Sequence, residues 1–254
     1  MFKESRLQKI KELVNKNGTV KVNELAEMLS VSTMTIRRDL LSMLDMGLID
    51  RTYGGAVQTK QNNLLQSPIL LRLPDQAEEK KAIARAVAQM IKRGETIYIA
   101  AGTTTYWLAK AIANQTDLTV VTNSIPIANL LIPSECIDLI VVGGFLRRKE
   151  FSLVGHFAER MVHDLRMDKV IIGCGGISPE FGITNDYPED MMMDRAYMSI
   201  SHNVIIVADH TKIGRVTTSY TSPVNAVHTI VTSNLASLET VEQLRRQGVE
   251  VILV

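Results

Sequence analysis

The chain has 254 residues, 46% of them apolar and 22% charged, with a formal net charge of +1. At roughly 150 residues per domain this length suits one to two domains, and a mean hydropathy of +0.08 with no run approaching 18 apolar residues gives no sign of a membrane span. The near-neutral total hides an asymmetry: residues 1–60 carry ten Lys/Arg against seven Asp/Glu, a net of +3, and residues 61–254 carry eighteen against twenty, a net of −2.

Leu7, Ile10 and Val14 recur at helical spacing, and Asn17-Gly18 stops that first helix. Thr19 to Lys21 is too short for a helix and reads as a strand running on to Val22. Asn23 is expected to cap a second helix, Glu24 to Leu29, and Ser32 a third that runs to about Asp45 and ends at Gly47. Leu48 to Gly55 has the pattern of a two-stranded wing with glycines at its far end. The polar stretch Gln58 to Asn63, followed by Pro68 and Pro74, reads as a linker. This divides the chain into a head (1–57), a linker (58–74) and a body (75–254).

In the body, seven short Val/Ile-rich runs read as strands, at 96–100, 118–121, 137–142, 169–172, 203–207, 227–231 and 249–254. They alternate with amphipathic segments at 80–91, 106–114, 156–165, 191–201 and 238–247. Near-continuous apolar strands separated by helices indicate a mostly parallel sheet covered on both faces, an α/β and Rossmann-like body. Residues Met1 to Arg6 lack a signal-peptide core, and Cys136 and Cys174 lie far apart with no CxxC. The expectation is a soluble, cytoplasmic protein with spectator thiols.

On a helical wheel Ile36, Leu40, Met43 and Leu44 share one face of the third helix. Met34, Thr35, Arg38, Leu41 and Ser42 lie opposite, with Arg37 on a flank. A short helix after a tight turn, with Thr and Arg outward near its start, suits the major groove. Arginine chelates guanine, Met34 or Thr35 touches a thymine methyl, and Ser32 and Thr33 at the helix start suit a phosphate. The plainer alternative is that Arg37-Arg38-Asp39 is the solvated turn of an ordinary helix. Three short helices, a wing and a local +3 favour DNA. The expected DNA-binding residues are Ser32, Thr33, Met34, Thr35, Arg37, Arg38 and Arg51.

Arg6, Ile10 and Val14, then Ser32-Thr33-Met34-Thr35-Ile36-Arg37-Arg38-Asp39-Leu40 and Gly54-Gly55-Ala56, resemble the winged helix-turn-helix signature of the DeoR/GlpR family of bacterial transcriptional regulators of sugar metabolism. The resemblance extends over essentially the whole chain.

Several body segments stand at strand ends, where open α/β sheets bind ligands: Gly102 to Thr105, Thr122-Asn123-Ser124, Gly143-Gly144, Gly173 to Gly176, and Asp209 with Lys212. Glycines after strands are also ordinary turns. The body resembles the family's sugar-phosphate sensor, whose fold is similar to ribose-5-phosphate isomerases and coenzyme A transferases. The matching pieces include Glu79-Lys80, Gly102-Thr103-Thr104, Gly143-Gly144 with Arg147, and Asp209 to Lys212. The resemblance implies that Gly102 to Thr105 hold a phosphate while Asn123, Asp209 and Lys212 address the sugar and its charge. The expected effector set is Gly102, Thr103, Thr104, Thr105, Asn123, Ser124, Gly143, Gly144, Arg147, Asp209 and Lys212. Two positions depart from the family pattern: Ala100 stands where Asp is usual, and Asp194 where Lys is common. The sugar's identity stays open.

An isomerase-like enzyme with an appended DNA-binding head is the alternative, since Asp209 and Lys212 supply part of an acid-base pair. No HExxH, GxSxG or P-loop pattern accompanies them. The expectation is therefore a repressor of a carbohydrate operon, without enzymatic activity or cofactor. Its partners are double-stranded operator DNA and a phosphorylated effector that relieves repression, with no membrane, and it acts as a homodimer or homotetramer.

Overall fold

The computed structural model describes residues 3–45, 48–52, 55–57 and 69–254, which divide into two compact units, Met1–Arg72 and Leu73–Val254.

In the first unit α1 (Lys3–Asn17) ends where Gly18 takes a φ of +74°, and β1 (Thr19–Lys21) follows. The chain passes directly into α2 (Val22–Met28), because Val22 is buried as the helix's first residue. The cap position falls on Lys21, which makes no side-chain cap bond, so the expected capping role of Asn23 is corrected: Asn23 is an exposed residue inside the helix. α3 (Thr33–Asp45) begins as expected, with Ser32 Oγ accepting from the Thr35 amide at 3.1 Å. β2 (Asp50–Thr52) and β3 (Gly55–Val57) form the wing, and β1, the short strand read from the sequence, pairs with β3 to complete a three-stranded antiparallel sheet, a pairing the sequence did not suggest. Tyr53, Gly54 and the expected stop at Gly47 lie outside the described residues. Leu7, Ile10 and Val14 of α1 meet Leu25 and Ala26 of α2, Ile36, Leu40 and Met43 of α3, and Ile49 and Ala56 of the wing in one small core. Of the expected linker, residues 58–68 lie outside the described residues. A helical turn, α4 (Ile69–Arg72), follows with Ile69 buried and the Leu71 carbonyl accepting from Lys11 Nζ at 3.4 Å.

The second unit runs α5 (Ala77–Met90), β4 (Thr96–Ile99), α6 (Thr103–Ile112), β5 (Leu118–Thr122), α7 (Ile125–Leu131) and β6 (Ile137–Val141). It continues with β7 (Phe145–Arg147), β8 (Ser152–Val154), α8 (His156–His163), β9 (Lys169–Ile172), β10 (Gly176–Ser178), β11 (Gly182–Asn185) and α9 (Pro188–Met198). The last elements are β12 (Val204–Val207), β13 (Ser219–Ser222), β14 (Thr229–Thr232), α10 (Leu238–Arg246) and β15 (Glu250–Leu253). Seven strands form one parallel sheet in the order β15-β14-β12-β9-β4-β5-β6, and each coincides with one of the seven apolar runs. Alternate residues feed two cores. Ile97 and Ile99 face α5, α6 and α7, while Tyr98, Val170 and Ile172 face α8, α9 and α10.

Three features were not anticipated from the sequence. They are α7, the β7–β8 hairpin, and the small antiparallel sheet β10-β11-β13.

Strand order reverses between β4 and β9. From β4 the chain winds outward through β5 to β6, and from β9 through β12 and β14 to β15. Such a reversal opens a crevice at the carboxyl ends of the two central strands, because the helices that follow them depart to opposite faces.

Candidate functional site

On α3 the anchored and the free residues separate cleanly. Ile36, Leu40 and Met43 are buried. Asp39 is buried too, and its carboxylate takes both Nε (2.5 Å) and Nη2 (3.1 Å) of the buried Arg6 on α1. This forked pair fixes α3 against α1. Ser32, Thr33, Met34, Arg37 and Arg38 are exposed and Thr35 half-buried, with Met34 65% and Leu41 43% accessible. Large apolar side chains standing in water beside two arginines make a surface suited to base edges and phosphates. Asp39 does not belong to a solvated charge run, as the plainer sequence alternative held. Arg51 lies on β2 of the wing.

In the body, the expected effector residues differ in how far their bonding is already committed. Gly102 holds the N-cap position of α6 and offers no side-chain cap, so the first-turn amides around Thr103, Thr104 and Thr105 meet no capping oxygen. A Cβ at Gly102 would lie 2.9 Å from Thr105 Oγ1. Thr105 is fully buried and its hydroxyl donates to the Gly102 carbonyl at 3.0 Å, so it shapes the loop. Thr104 is buried and Thr103 half-buried.

Asn123, at the end of β5, ties three segments together. Its Oδ1 accepts from the Tyr98 hydroxyl (2.8 Å) and the Ala101 amide (3.1 Å), and its Nδ2 donates to the Leu153 carbonyl (3.1 Å). Ser124 is the N-cap of α7, accepting from the Ile127 amide at 3.4 Å. Gly143 and Gly144 are exposed beyond β6, the edge strand. Gly144 takes a φ of +153°, and a Cβ there would stand 2.7 Å from the Val154 carbonyl, so the residue serves the entry into the β7–β8 hairpin. Arg147 pairs with Asp190 of α9 and lies 4.2 Å from the Tyr187 ring centroid.

Asp209 caps the 3-10 turn His210–Lys212 through the Thr211 amide (3.1 Å), and its carboxylate lies 3.8 Å from Nζ of the buried Lys80. Lys212 is half-buried on the same turn, and its charge acts on Cys174 beyond β9. Burial nonetheless pushes the Cys174 thiol up to about 12, so it is no thiolate at neutral pH.

These residues stand on the ends of five adjacent strands, β6 to β12. Four spacings of about 4.8 Å make roughly 19 Å across the sheet, more than a single sugar phosphate spans. Two acidic groups and a lysine join the site without a role assigned from sequence. Glu79 accepts from Ser233 Oγ (2.7 Å) and pairs with His210 Nδ1 (2.8 Å), and although desolvation opposes it these bonds hold its carboxyl below the usual range. Lys80 Nζ donates to the Asp75 carbonyl at 2.6 Å. Asp194, on α9, is buried and accepts from Asn185 Nδ2 at 2.6 Å. Its burial first, then the charge of Asp190, raises its carboxyl well above the ordinary range. Glu79 and Lys80 were visible as a charged pair opening a helix; that they are tied to strand ends more than 120 residues away was not.

Residues 75–234 match the family described as the DeoR C terminal sensor domain, and residues 6–62 match the DeoR-like helix-turn-helix domain. The chain belongs to the DeoR family of transcriptional regulators. Among its DeoR relatives, the HTH-type transcriptional repressor CsqR of Escherichia coli is 32% identical over 95% of this chain and 92% of its own length. The glycerol-3-phosphate regulon repressor of E. coli is 36% identical over 86% and 87%, and the HTH-type transcriptional repressor GlcR of Bacillus subtilis 33% over 100% and 97%. Among solved structures, a ribose 5-phosphate isomerase from Methanocaldococcus jannaschii overlaps 54% of this chain and 55% of its own with 12% identity and a TM-score of 0.41, and no role is transferred from it. Among the described residues of this DeoR-type chain no helix is long and apolar enough to cross a membrane.

Proposed function

We propose that this DeoR-family chain is a repressor of a carbohydrate-linked operon, that its head binds operator DNA through α3 and the wing, and that a phosphorylated metabolite in the body weakens that grip. The exposed face of α3, with Met34, Thr35, Arg37 and Arg38 outward while Asp39 is locked to Arg6, carries the DNA half of the proposal. Ser32 and Thr33 at the helix start would meet a phosphate, and Arg51 the backbone beside the groove.

The effector half is supported by the uncapped start of α6 at the point where strand order reverses, with Lys80 and Lys212 beside Asp209 at the end of β12, two strands from β4. The name of the glycerol-3-phosphate regulon repressor points to the same ligand class. In this reading Gly102, Thr103 and Thr104 hold the phosphate. Thr105, Asn123, Ser124, Gly143 and Gly144 build the loops around it, and Asp209, Lys212 and Arg147 face the rest of the ligand. Binding rather than turnover is the expected chemistry, because Glu79 and Asp209 are engaged by His210, Ser233 and Thr211.

Paired heads on repeated half-sites multiply affinity through effective concentration, so a homodimer or homotetramer is the acting form. Titrating the full chain against DNA from its own promoter, with and without pentose and hexose phosphates, tests the proposal. Sequence-specific binding that weakens with a sugar phosphate supports it, and turnover of the sugar without DNA retardation overturns it.

A further inference from the structure

The two edges of the seven-stranded sheet treat their backbone groups differently. A strand at a sheet edge offers a row of unpaired N–H and C=O groups to any other strand, and monomers guard such rows with charges, prolines or covering groups. β15 is guarded. Its Glu250 amide donates to the His228 carbonyl just before β14, which turns the next residue, Val251, outward. The Val251 carbonyl is taken by Arg245 Nη2 at 2.8 Å, and Arg245 is held in turn by Glu242.

β6 has no such cover. The Val142 amide donates to the Thr122 carbonyl at 2.8 Å, so the even-numbered residues of β6 bond to β5 and the backbone of Ile137, Leu139 and Val141 turns outward. The Ile137 amide is used by the Ser134 carbonyl. The Ile137 carbonyl and both groups of Leu139 and Val141 meet no partner among the described residues. The ladder to β5 is regular over all five residues, with no proline, no glycine and one charge, Asp138.

A second copy of the same strand fits this edge. Laid antiparallel across a twofold axis at Leu139, residue 137 stands opposite 141 and residue 139 opposite itself. The Leu139 amide then donates to the carbonyl of the partner's Leu139, and the Val141 amide to the carbonyl of the partner's Ile137, each bond being repeated by symmetry. Every free group of the edge is used except the Val141 carbonyl at the strand's end. The side chains agree with this register. On the face covered by α7, Leu139 meets its own copy and Val141, 40% exposed, meets the partner's Ile137. Ile132, 71% exposed at the end of α7, stands at the end of β6 that the partner's Val141 reaches. On the opposite face Asp138 falls beside the partner's Ile140, so the two carboxylates are not directly opposed.

The guarded edge decides how the assembly closes. Pairing β6 with β15 of another copy would be heterologous and would repeat without end, whereas β6 on β6 is isologous and stops at two. Arg245 on the Val251 carbonyl stands against the first arrangement.

We propose that two copies of this chain join through β6, antiparallel about a twofold axis at Leu139, so that their seven-stranded sheets continue as one. The joint rests on the paired-head reading above and names the surface that makes the pair.

The test uses the full-length protein in sedimentation equilibrium, comparing the parent with Val141→Lys and Val141→Pro. Val141 is exposed and its amide points away from β5, so both substitutions keep the ladder within the body. Lysine is a common guard of open edges, and proline removes the donor. Each is expected to reduce the assembly to half the parent's mass while the far-ultraviolet circular dichroism is kept. Register is read by disulfide trapping in a Cys136→Ser background, which removes the exposed thiol. Leu139→Cys brings two Cα atoms to about 5.5 Å and is expected to give a covalent dimer on mild oxidation. Val141→Cys, roughly 14 Å from its copy, is expected to give none. If the parent is assembled but both Val141 variants keep its mass, if Leu139→Cys does not cross-link, or if Val141→Cys cross-links as readily, the joint is overturned and the paired-head reading stands. Should a Val141 variant fail to fold, the cysteine pair decides alone. A parent that is monomeric while it binds its operator overturns both.

Discussion

Replacing Arg38 by alanine removes an exposed guanidinium from α3, with an expected loss of about 1–3 kcal/mol for the operator if it chelates a base. An unchanged operator titration would remove Arg38 from the readout. Arg37→Ala, on the flank, is expected instead to weaken all DNA alike and to reduce the salt slope by about one counterion's worth. The next residue behaves oppositely. Asp39→Ala strands the buried Arg6 charge and is expected to destabilise the head by about 3–5 kcal/mol, read in a denaturant titration followed by a signal from the head. Sequence spacing put Arg37, Arg38 and Asp39 in one charged run. Only the approach of α1 distinguishes the third from the other two, and that approach is tertiary. Asp194 offers a pH test. Its carboxyl is raised above 3.8 in the folded chain, chiefly by burial, so the stability it contributes is full below that pH and lost as pH rises toward the folded value. Asp194→Asn, which resembles the protonated acid, is expected to melt above the parent at pH 8, with the difference closing toward pH 4. Melting curves displaced equally at every pH would contradict this.

At the scale of elements, the wing depends on one close approach. A Cβ at Gly55 would lie 2.0 Å from the Val20 carbonyl oxygen, where β1 and β3 pair. Gly55→Ala is expected to disrupt the three-stranded sheet and abolish operator binding while leaving the melting of the body intact. α6 is tested by changing Thr103 and Thr104 together to valine. Operator binding should persist and its release by a sugar phosphate should fail. The seven core strands were legible because both faces of a parallel sheet are buried, which writes continuous Val/Ile runs such as Val204 to Val207. The β7–β8 hairpin was not: Phe145 and Leu146 are exposed, its strands are three residues long, and its position is set by Asn123 and Arg147 reaching other elements. α7 carried a local signature, Ser124 before Ile125-Pro126, that names a helix start once its cap bond is seen. Asn23 shows the reverse. A good capping residue one position inside the helix is overruled by the burial of Val22.

For the whole molecule, regulation requires that the ligand bind better to a body whose heads hold DNA poorly. A coupling of about 1–3 kcal/mol changes operator affinity by roughly 5–150-fold, and the same factor must appear in the ligand's affinity when operator is present. The net +3 of residues 1–60 and −2 of residues 61–254 match this division, with the cationic end at the proposed DNA surface and a nearly balanced body. The most direct test is a fluorescence-anisotropy titration of the full-length chain on labelled DNA from its own promoter, repeated with saturating glucose 6-phosphate, fructose 6-phosphate or glycerol 3-phosphate. The expected result is sequence-specific binding that at least one of these phosphates weakens fivefold or more, about the lower end of a working coupling. Binding without sequence preference, or specific binding that none of them shifts, would contradict a phosphate-released repressor.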